Sequence, residues 1–550
     1  MSQLVITGII PPSRSEQPTT NALFHQAVQL HDAGKCSEAL EKFDELLQHD
    51  PDHWGANINR GSVLSDLQRY DEACASYQTA ASLKPDDCTA YCNLGAVLFK
   101  MGKLEESAAQ SKKAIAVNPA HAESHCNLGT ALFELNRTLE AGKAFAKATE
   151  LKSDYGYAWY IQGQIAARAG RAQDALFAYD RAIEHMQDSQ KVLFSKGLLL
   201  IALGEFEQGW ELYEYRRDSE PENFLRSYTQ PMWQSDMPVE ALKGKTLFIV
   251  REQGLGDQIH VVRYAQLLAD AGVRVIMETR APLRSLLENL PGITQTVLFG
   301  EELPPFDYYC WLMSLPHLMN STVDNLPAQI PYLFASADKI ATWQSRLGDQ
   351  RQPRIGLAWS GSVDNPGDEM RTIELGQLAP ILELPCEFHC LQKEIRPHDE
   401  TMLVNFPQIK LWQSDLDDFS DTAALVECMD LVIAVDTSVA HLAGALGKPV
   451  WLLLSNVLNM HFRWPYQQAH SPWYPSVRIW WQAKCAEAAL KMNCASPGPT
   501  QDARWQQVIM AVAAELRRLY GKPSILQRCR SWLASLPGRS EVNPKNETLV

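Results

Sequence analysis

Gly61, Gly95, Gly129, Gly163 and Gly197 recur every 34 residues. Pro51, Pro85 and Pro119 keep the same period, as do Ala39, Ala73, Ala141 and Ala175 and the aromatic residues Phe43, Tyr77, Phe145 and Tyr179. A repeat of this length holds one supersecondary unit, too small to bury its own apolar face, so neighbouring units must stack. We read each unit as two antiparallel helices. The glycine lets the first helix approach the second, the alanine is where the second packs back, and the proline ends the unit. Units start near Thr20, Trp54, Cys88, Ala122, Gly156 and Gln190, while Ser153, Ser107 and Gly209 stand where Pro, Ala and Ala are expected. The spacing predicts a right-handed α-solenoid of about six repeats over residues 20–219. Its concave groove suits a protein or peptide, and a rigid spacer or oligomer contact is the plainer use.

Beyond residue 219 the pattern changes. Pro221, Pro231 and Pro238 with Trp233 mark a packed linker over 220–242. Thr246 to Val250 then reads as a strand, followed by Arg251-Glu252-Gln253-Gly254-Leu255-Gly256-Asp257 and a helical run ended by Gly272. Gly254 and Gly256 allow a tight strand-to-helix turn with close backbone approach. Asp257 falls in the first helical turn, where an acid is also a common capping residue. Val273 to Thr279 and Thr296 to Phe299 continue the alternation, predicting one α/β domain over 243–347. A second, over 348–485, opens with Arg354 to Trp359 and the small polar turn Ser360-Gly361-Ser362. Arg371 is a candidate for pairing an anion, and Gln392-Lys393-Glu394 sits at the carboxyl end of the Glu387–Leu391 strand. Asp430 to Leu454 is its centre: an apolar strand to Val435, the turn Asp436-Thr437-Ser438, a short Ala/Leu-rich helix carrying His441 and closed by Gly447, then the strand Val450–Leu454. Ligands of open α/β sheets bind at such strand ends, and a helix N-terminus there suits a phosphate. Arg463-Trp464 and Ser471 to Ser476 read as an aromatic, proline-rich loop. Helices over about 502–520 and 525–536 lie within a C-terminal segment, 486–537.

The net charge of −15 argues against a nucleic-acid partner, which needs a basic face. The 12 cysteines are scattered, and Cys88/Cys92 and Cys386/Cys390 lack the companions a metal finger needs. They read as buried thiols of a reducing cytoplasm. The first residues lack a basic leader, and no run is long enough to span a membrane. Residues 1–19 and 538–550 are expected to be disordered.

The repeats resemble tetratricopeptide repeats. The ordered motifs EQGLGD, LAWSGS, LQKE, DTSVAHLAGALGKP and SPWYPS over about 244–482 resemble glycosyltransferase family 9, the heptosyltransferase family, in its branch with N-terminal tetratricopeptide repeats. The resemblance implies a GT-B architecture of two Rossmann-like domains, acceptor side first and donor side second. It implies an inverting transferase needing no metal or cofactor, with a nucleotide-diphosphate sugar as substrate, a heptose among the candidates, and a hydroxyl of a protein or glycan as acceptor. Residue by residue, it makes Asp257 the general base, Ser360 and Gly361 a donor-phosphate turn, and Asp436, Thr437, Ser438 and His441 the donor motif. The family's lysine after the Ser360 turn is absent here, where Val363-Asp364-Asn365 stands, leaving Arg371 or Lys393 with Gln392 on the donor side. A non-catalytic repeat scaffold that senses a nucleotide is the rival reading. The repeat-bearing O-GlcNAc enzymes share the architecture but not the motif order.

Overall fold

The computed structural model describes residues 18–362, 368–457, 461–482 and 501–521. The chain divides into two compact units, Met1–Lys196 and Gly197–Val550. Residues 1–17 and 538–550 of the expected disordered termini, the loop after Ser362 and the helix near 525–536 lie outside the described residues, whereas Pro18 and Thr19, expected disordered, open a helix.

The first unit is a stack of antiparallel helices: Pro18–Asp32, Cys36–His49, Trp54–Asp66, Tyr70–Leu83, Cys88–Lys100, Leu104–Val117, Ala122–Glu134, Thr138–Leu151, Gly156–Arg168 and Ala172–His185, with Gln190–Leu203 running across the division. Small residues set its spacing. A Cβ at Gly61 would fall 2.7 Å from the Tyr77 ring, one at Gly129 2.9 Å from Phe145 and one at Gly163 2.5 Å from Tyr179. Each aromatic ring therefore sits where a glycine leaves room. Ala39, Ala73, Ala141 and Ala175 are fully buried. Ser107 replaces that alanine without an orphaned hydroxyl, since it donates to the Gly95 carbonyl at 2.7 Å. A second register emerges only in the backbone. Gly34, Gln68, Gly102, Asn136, Gly170 and Gly204 all have positive φ, and they too are 34 residues apart. Each is the left-handed residue that turns one helix into the next. Because Gln and Asn share this duty with Gly, a search by residue type passes it over.

The second unit opens on the end of the Gln190–Leu203 helix and on Phe206–Tyr213. The repeat period assigns these residues to the solenoid, and their contacts place them in the second compact unit. Phe206, Trp210 and Tyr213 are buried, with ring centroids 5.6 Å from Trp473 for Phe206 and 5.5 Å from Phe462 for Tyr213. The glycine spacing continues, since a Cβ at Gly197 would fall 2.8 Å from the Tyr213 backbone nitrogen, while the large aromatic side chains of this helix pair cover the α/β core. The linker is packed: Trp233 is buried, and its backbone N–H donates to the Tyr309 carbonyl at 2.8 Å.

Two parallel sheets follow. The first joins β1 (Thr246–Val250), β2 (Arg274–Thr279), β3 (Gln295–Leu298) and β4 (Tyr308–Trp311) in the order β3-β2-β1-β4. The second joins β5 (Arg354–Ala358), β6 (Glu387–Cys390), β7 (Ile409–Lys410), β8 (Leu431–Val435), β9 (Val450–Leu454) and β10 (Val477–Trp481) in the order β10-β9-β8-β5-β6-β7. β4, β7 and β10 escape a reading by pattern: two to five residues long, they lack the apolar run that marks β8. The Gln501–Tyr520 helix packs Trp505, Ile509, Val512 and Leu516 into the core of the second sheet. In both sheets the strand order reverses at the first strand, between β1 and β4 and between β5 and β8. A parallel α/β sheet opens its ligand crevice at such a reversal, beyond the carboxyl ends of the strands. No helix among the described residues is long and apolar enough to cross a membrane.

Two substitutions separate close packing from helix propensity in the repeats. Gly163→Val drives a side chain into Tyr179, and overpacking of this kind costs about 1–3 kcal/mol. Gly142→Ala meets only the Ile165 methyl at 3.7 Å and gains up to about 1 kcal/mol of helix propensity. The urea midpoint of the helical circular-dichroism signal should fall for the first and rise for the second.

Candidate functional site

The turn after β5 is built from its own neighbours. The Gln392 side-chain carbonyl accepts the backbone N–H groups of Trp359 (2.6 Å) and Ser360 (3.2 Å), while its amide donates to the Ser360 hydroxyl (2.9 Å). Gln392 and Ser360 are both buried. Asp368, also buried, accepts from Arg371 Nε and the Thr372 hydroxyl, each at 2.7 Å, and from Arg396. Arg371 reaches on to the Asp436 carbonyl at 2.9 Å. It therefore ties the β5 turn to the end of β8. At Gly361 a Cβ would fall 2.2 Å from an Asp368 carboxylate oxygen, so this turn admits only glycine.

The Asp436 and His441 side chains, expected in the donor motif, are turned into the protein. Asp436 is 5% exposed, and its two oxygens accept from His461 Nδ1 and Trp464 Nε1, each at 2.8 Å. His441 lies with Nε2 3.6 Å from Asp436 and Nδ1 3.0 Å from the Tyr474 hydroxyl, and its ring is stacked on Trp464. Burial works against the Asp436 charge, but hydrogen bonds from His441 and His461 prevail and hold the carboxyl well below its ordinary value. Gln392 and Arg371 likewise act on the turns, and Lys393 donates to the Gln413 carbonyl at 2.9 Å. The residues left facing outward are Gly361, Thr437 and Ser438. Thr437 is the N-cap of the Ser438–Ala445 helix, and its side chain makes no capping bond. The Ser471–Ser476 loop serves packing, with Trp473 and Tyr474 buried.

Asp257 comes to this same place from the first sheet. The Leu255–Val261 helix follows β1, and the Asp257 carboxylate accepts the Gly254 N–H at 2.9 Å. The left-handed residue of the turn is Gln253, at φ +57°, whereas Gly254 has φ −90°. Gly256 is needed for proximity instead, because a Cβ there would lie 3.1 Å from the His441 ring and 3.4 Å from the Ser438 Cα. The starts of the two helices thus abut. Beside them the Tyr474 hydroxyl lies 3.1 Å from His260, 3.0 Å from His441 and 3.2 Å from the Tyr332 hydroxyl. Burial, then the Arg263 charge, pushes His260 well below the usual histidine range, so it serves as a neutral partner.

Four cations near this junction were not singled out from the sequence. Arg463, in the loop after β9, pairs with Asp257 and donates to the Gln253 side chain at 3.0 Å. Burial lowers its pKa to about 10. Arg251 directly follows β1 and Arg280 directly follows β2. Arg280 donates to the Gln253 carbonyl at 2.7 Å, and burial followed by the Arg251 charge lowers its pKa. Arg226 pairs with Glu278 at 2.7 Å. Arg226 and Arg251 flank the exposed Phe299 ring, 5.3 and 5.5 Å from its centroid. Their places at strand ends are the signal by which a sequence reading could have found Arg251 and Arg280.

Comparison with known proteins agrees with this division. Models of tetratricopeptide repeats match residues 61–102, 97–136, 122–155 and 143–190. The model of glycosyltransferase family 9 (heptosyltransferase) matches residues 417–498, which hold the Asp436 turn and the Arg463 loop. Protein FlbA of Caulobacter vibrioides is 25% identical over 363 residues, 60% of this chain and 58% of FlbA. The chain thus spans little more than half the length of that relative. Among solved structures, YrrB, described as a tetratricopeptide protein with an unusual peptide-binding site, is 24% identical and covers 32% of this chain with a TM-score of 0.28. PilF of Pseudomonas aeruginosa is 16% identical and covers 38% with a TM-score of 0.34. Likenesses at that level carry no argument.

Trp464→Phe should keep the ring on His441 while removing one donor from buried Asp436, a loss of about 1–3 kcal/mol visible in thermal unfolding. Because the Asp436 carboxyl is depressed, its stabilisation is present at neutral pH. It is lost as pH falls below the ordinary carboxylate value, about 4, toward the depressed one. In acid titrations Asp436→Asn should flatten the stability profile in that window.

Proposed function

We propose that this chain, which carries tetratricopeptide repeats and a C-terminal glycosyltransferase family 9 domain, is an inverting glycosyltransferase that takes a sugar from a nucleotide-diphosphate donor. The observation that carries the reading is the meeting of Asp257 with the start of the Ser438–Ala445 helix, across the Gly256–Ser438 contact. In this reading the donor diphosphate lies against that helix end and the Gly361 turn, where backbone N–H groups and the helix dipole favour negative charge. An acceptor hydroxyl attacks the anomeric carbon from the opposite face. The new carbon–oxygen bond forms as the bond to the diphosphate oxygen breaks. Asp257 takes the hydroxyl proton, and the nucleoside diphosphate departs with the electron pair. Helix-end N–H groups that stabilise the growing charge do so without a metal ion, which makes the metal-free course part of the proposal.

The acceptor belongs, on this reading, to the carboxyl ends of the first sheet. Arg251, Arg280 and Arg226 against Glu278 leave a local positive excess in a chain of net charge −15. Beside the exposed Phe299 ring they suit a glycan or protein acceptor bearing an anionic group. The repeats recruit that acceptor, or a partner, as a protein- or peptide-binding groove. A second reading, a nucleotide sensor without turnover, draws support from the Asp257–Arg463 pair, since a carboxylate held by a guanidinium is a poor base.

Purified protein given a panel of nucleotide sugars and cell-derived acceptors should transfer one of the sugars. Asp257→Asn should lower kcat by about 10²–10⁴-fold, the usual share of a general base, while donor binding persists. If all donors stay intact, or if Asp257→Asn retains full turnover, the sensor reading wins. Arg280→Ala should raise KM for the acceptor and leave KM for the donor unchanged in steady-state assays.

A further inference from the structure

Arg463 and Asp257 come from opposite halves of the second unit, one after β9 and the other after β1. The Arg463 side chain is 12% exposed, so its charge is costly to keep without a close anion. Its backbone has little freedom. His461 and Trp464 on either side both bond Asp436, and Phe462 is wedged against Trp210 and Tyr213. The side chain lies over the Phe462 ring, 4.1 Å from its centroid, and bonds Gln253 as well as Asp257, so a swing exchanges one ion pair and one hydrogen bond to a neutral partner. Trp464, the next residue, stacks on His441 in the first turns of the Ser438–Ala445 helix, and Ser438 abuts Gly256 beside Asp257. The guanidinium thus already sits at the residue next to Gly256, which abuts the first residue of that helix. Asp257 has a second anchor, the Gly254 N–H at 2.9 Å, which keeps the carboxylate aimed when Arg463 leaves.

We infer that Arg463 is a shared cation: it holds Asp257 while the cleft has no donor and turns to the donor's diphosphate once one binds, releasing Asp257 to act as base. The direction follows from charge. A diphosphate offers a guanidinium more negative charge and more acceptor oxygens than one carboxylate does. The device makes the order of events physical: the base is free only after the leaving group is in place, so an acceptor arriving first meets a blocked carboxylate. The inference rests on the glycosyltransferase reading for the identity of the anion. Arg463 is a positioning residue for Asp257 and a direct contact for the diphosphate.

The consequence is a binding cycle that needs no turnover. Isothermal titration calorimetry of the full chain would use inorganic pyrophosphate and ADP, GDP, UDP and CDP as probes. Asp257→Asn removes the competitor for Arg463, and a site freed from nine-tenths occupancy tightens about tenfold. Arg463→Met should weaken the same probe about tenfold or more, and Asp257→Asn should bring no gain in the Arg463→Met background. Unchanged or weaker binding in Asp257→Asn overturns the inference, whereas simple loss of a nearby negative charge would give a gain that does not depend on Arg463. A gain that survives in the double variant overturns it too, as does failure of every probe to bind wild type and Asp257→Asn alike. Should Arg463→Met not fold, Arg463→Lys, which keeps the charge and loses the fork, should weaken the probe and shrink the gain. Intact coupling without sugar transfer would sink the transferase reading, and with it the base role of Asp257, and leave the exchange of Arg463 between carboxylate and anion standing.

Discussion

The contact of Gly256 with Ser438 is the constraint on which the second unit depends. Two helices start there, each presenting unpaired N–H groups and the positive end of its dipole. Like ends repel, so the junction needs negative charge between them and a clamp around them. Asp257 supplies the first. Tyr474 supplies the second, through a hydroxyl shared by His260 from one half and by His441 from the other, with Tyr332 beside them. Arg263 stacks over the Tyr474 ring, 4.5 Å from its centroid, and donates to the Trp473 carbonyl, which closes the aromatic loop over the joint. The result is a junction between the two sheets held by one carboxylate and one shared hydroxyl.

Burial sorts the Asp-Thr-Ser-x-x-His stretch into two kinds of work. Helical geometry turns His441 inward, and the strand end directs Asp436 the same way, so these two meet His461, Trp464 and Tyr474 and build a closed polar network. Such a network is stable only when each polar group is satisfied, and every partner here holds the turn to a defined shape. Thr437 and Ser438, between them, stay partly exposed. The buried Asp436 and His441 thus support the partly exposed turn between them.

Arginine placement tells the same story by charge. The chain is acidic as a whole, yet Arg251, Arg280 and Arg463 gather around Gln253 and Asp257. Local fields in a cleft follow nearby groups, because distant surface charges are screened within about 10 Å. Net charge therefore bears on bulk partners such as nucleic acid, and a small anion answers to the few cations beside it.

Much of the fold could be read from residue order. The 34-residue period fixes the helix pairs, since each repeat must stack to bury its apolar face, and the apolar runs at β1, β5, β8 and β9 announce parallel strands. The positive-φ turns at Gln68 and Asn136 stayed hidden, because their conformation, not their residue type, repeats. The sequence marks Asp257, Gly361 and the Asp436 turn, and the structure places all three in the second unit, with Asp257 beside the helix that follows Asp436. What sequence could not decide was which of those side chains are buried, or that Arg463 would meet Asp257 from 206 positions away. Strand and helix identity follow from neighbours along the chain, and sequence carries that information directly. Burial and ion pairing follow from which strand ends are brought together, and only the crossing of two sheets at their reversal points settles that.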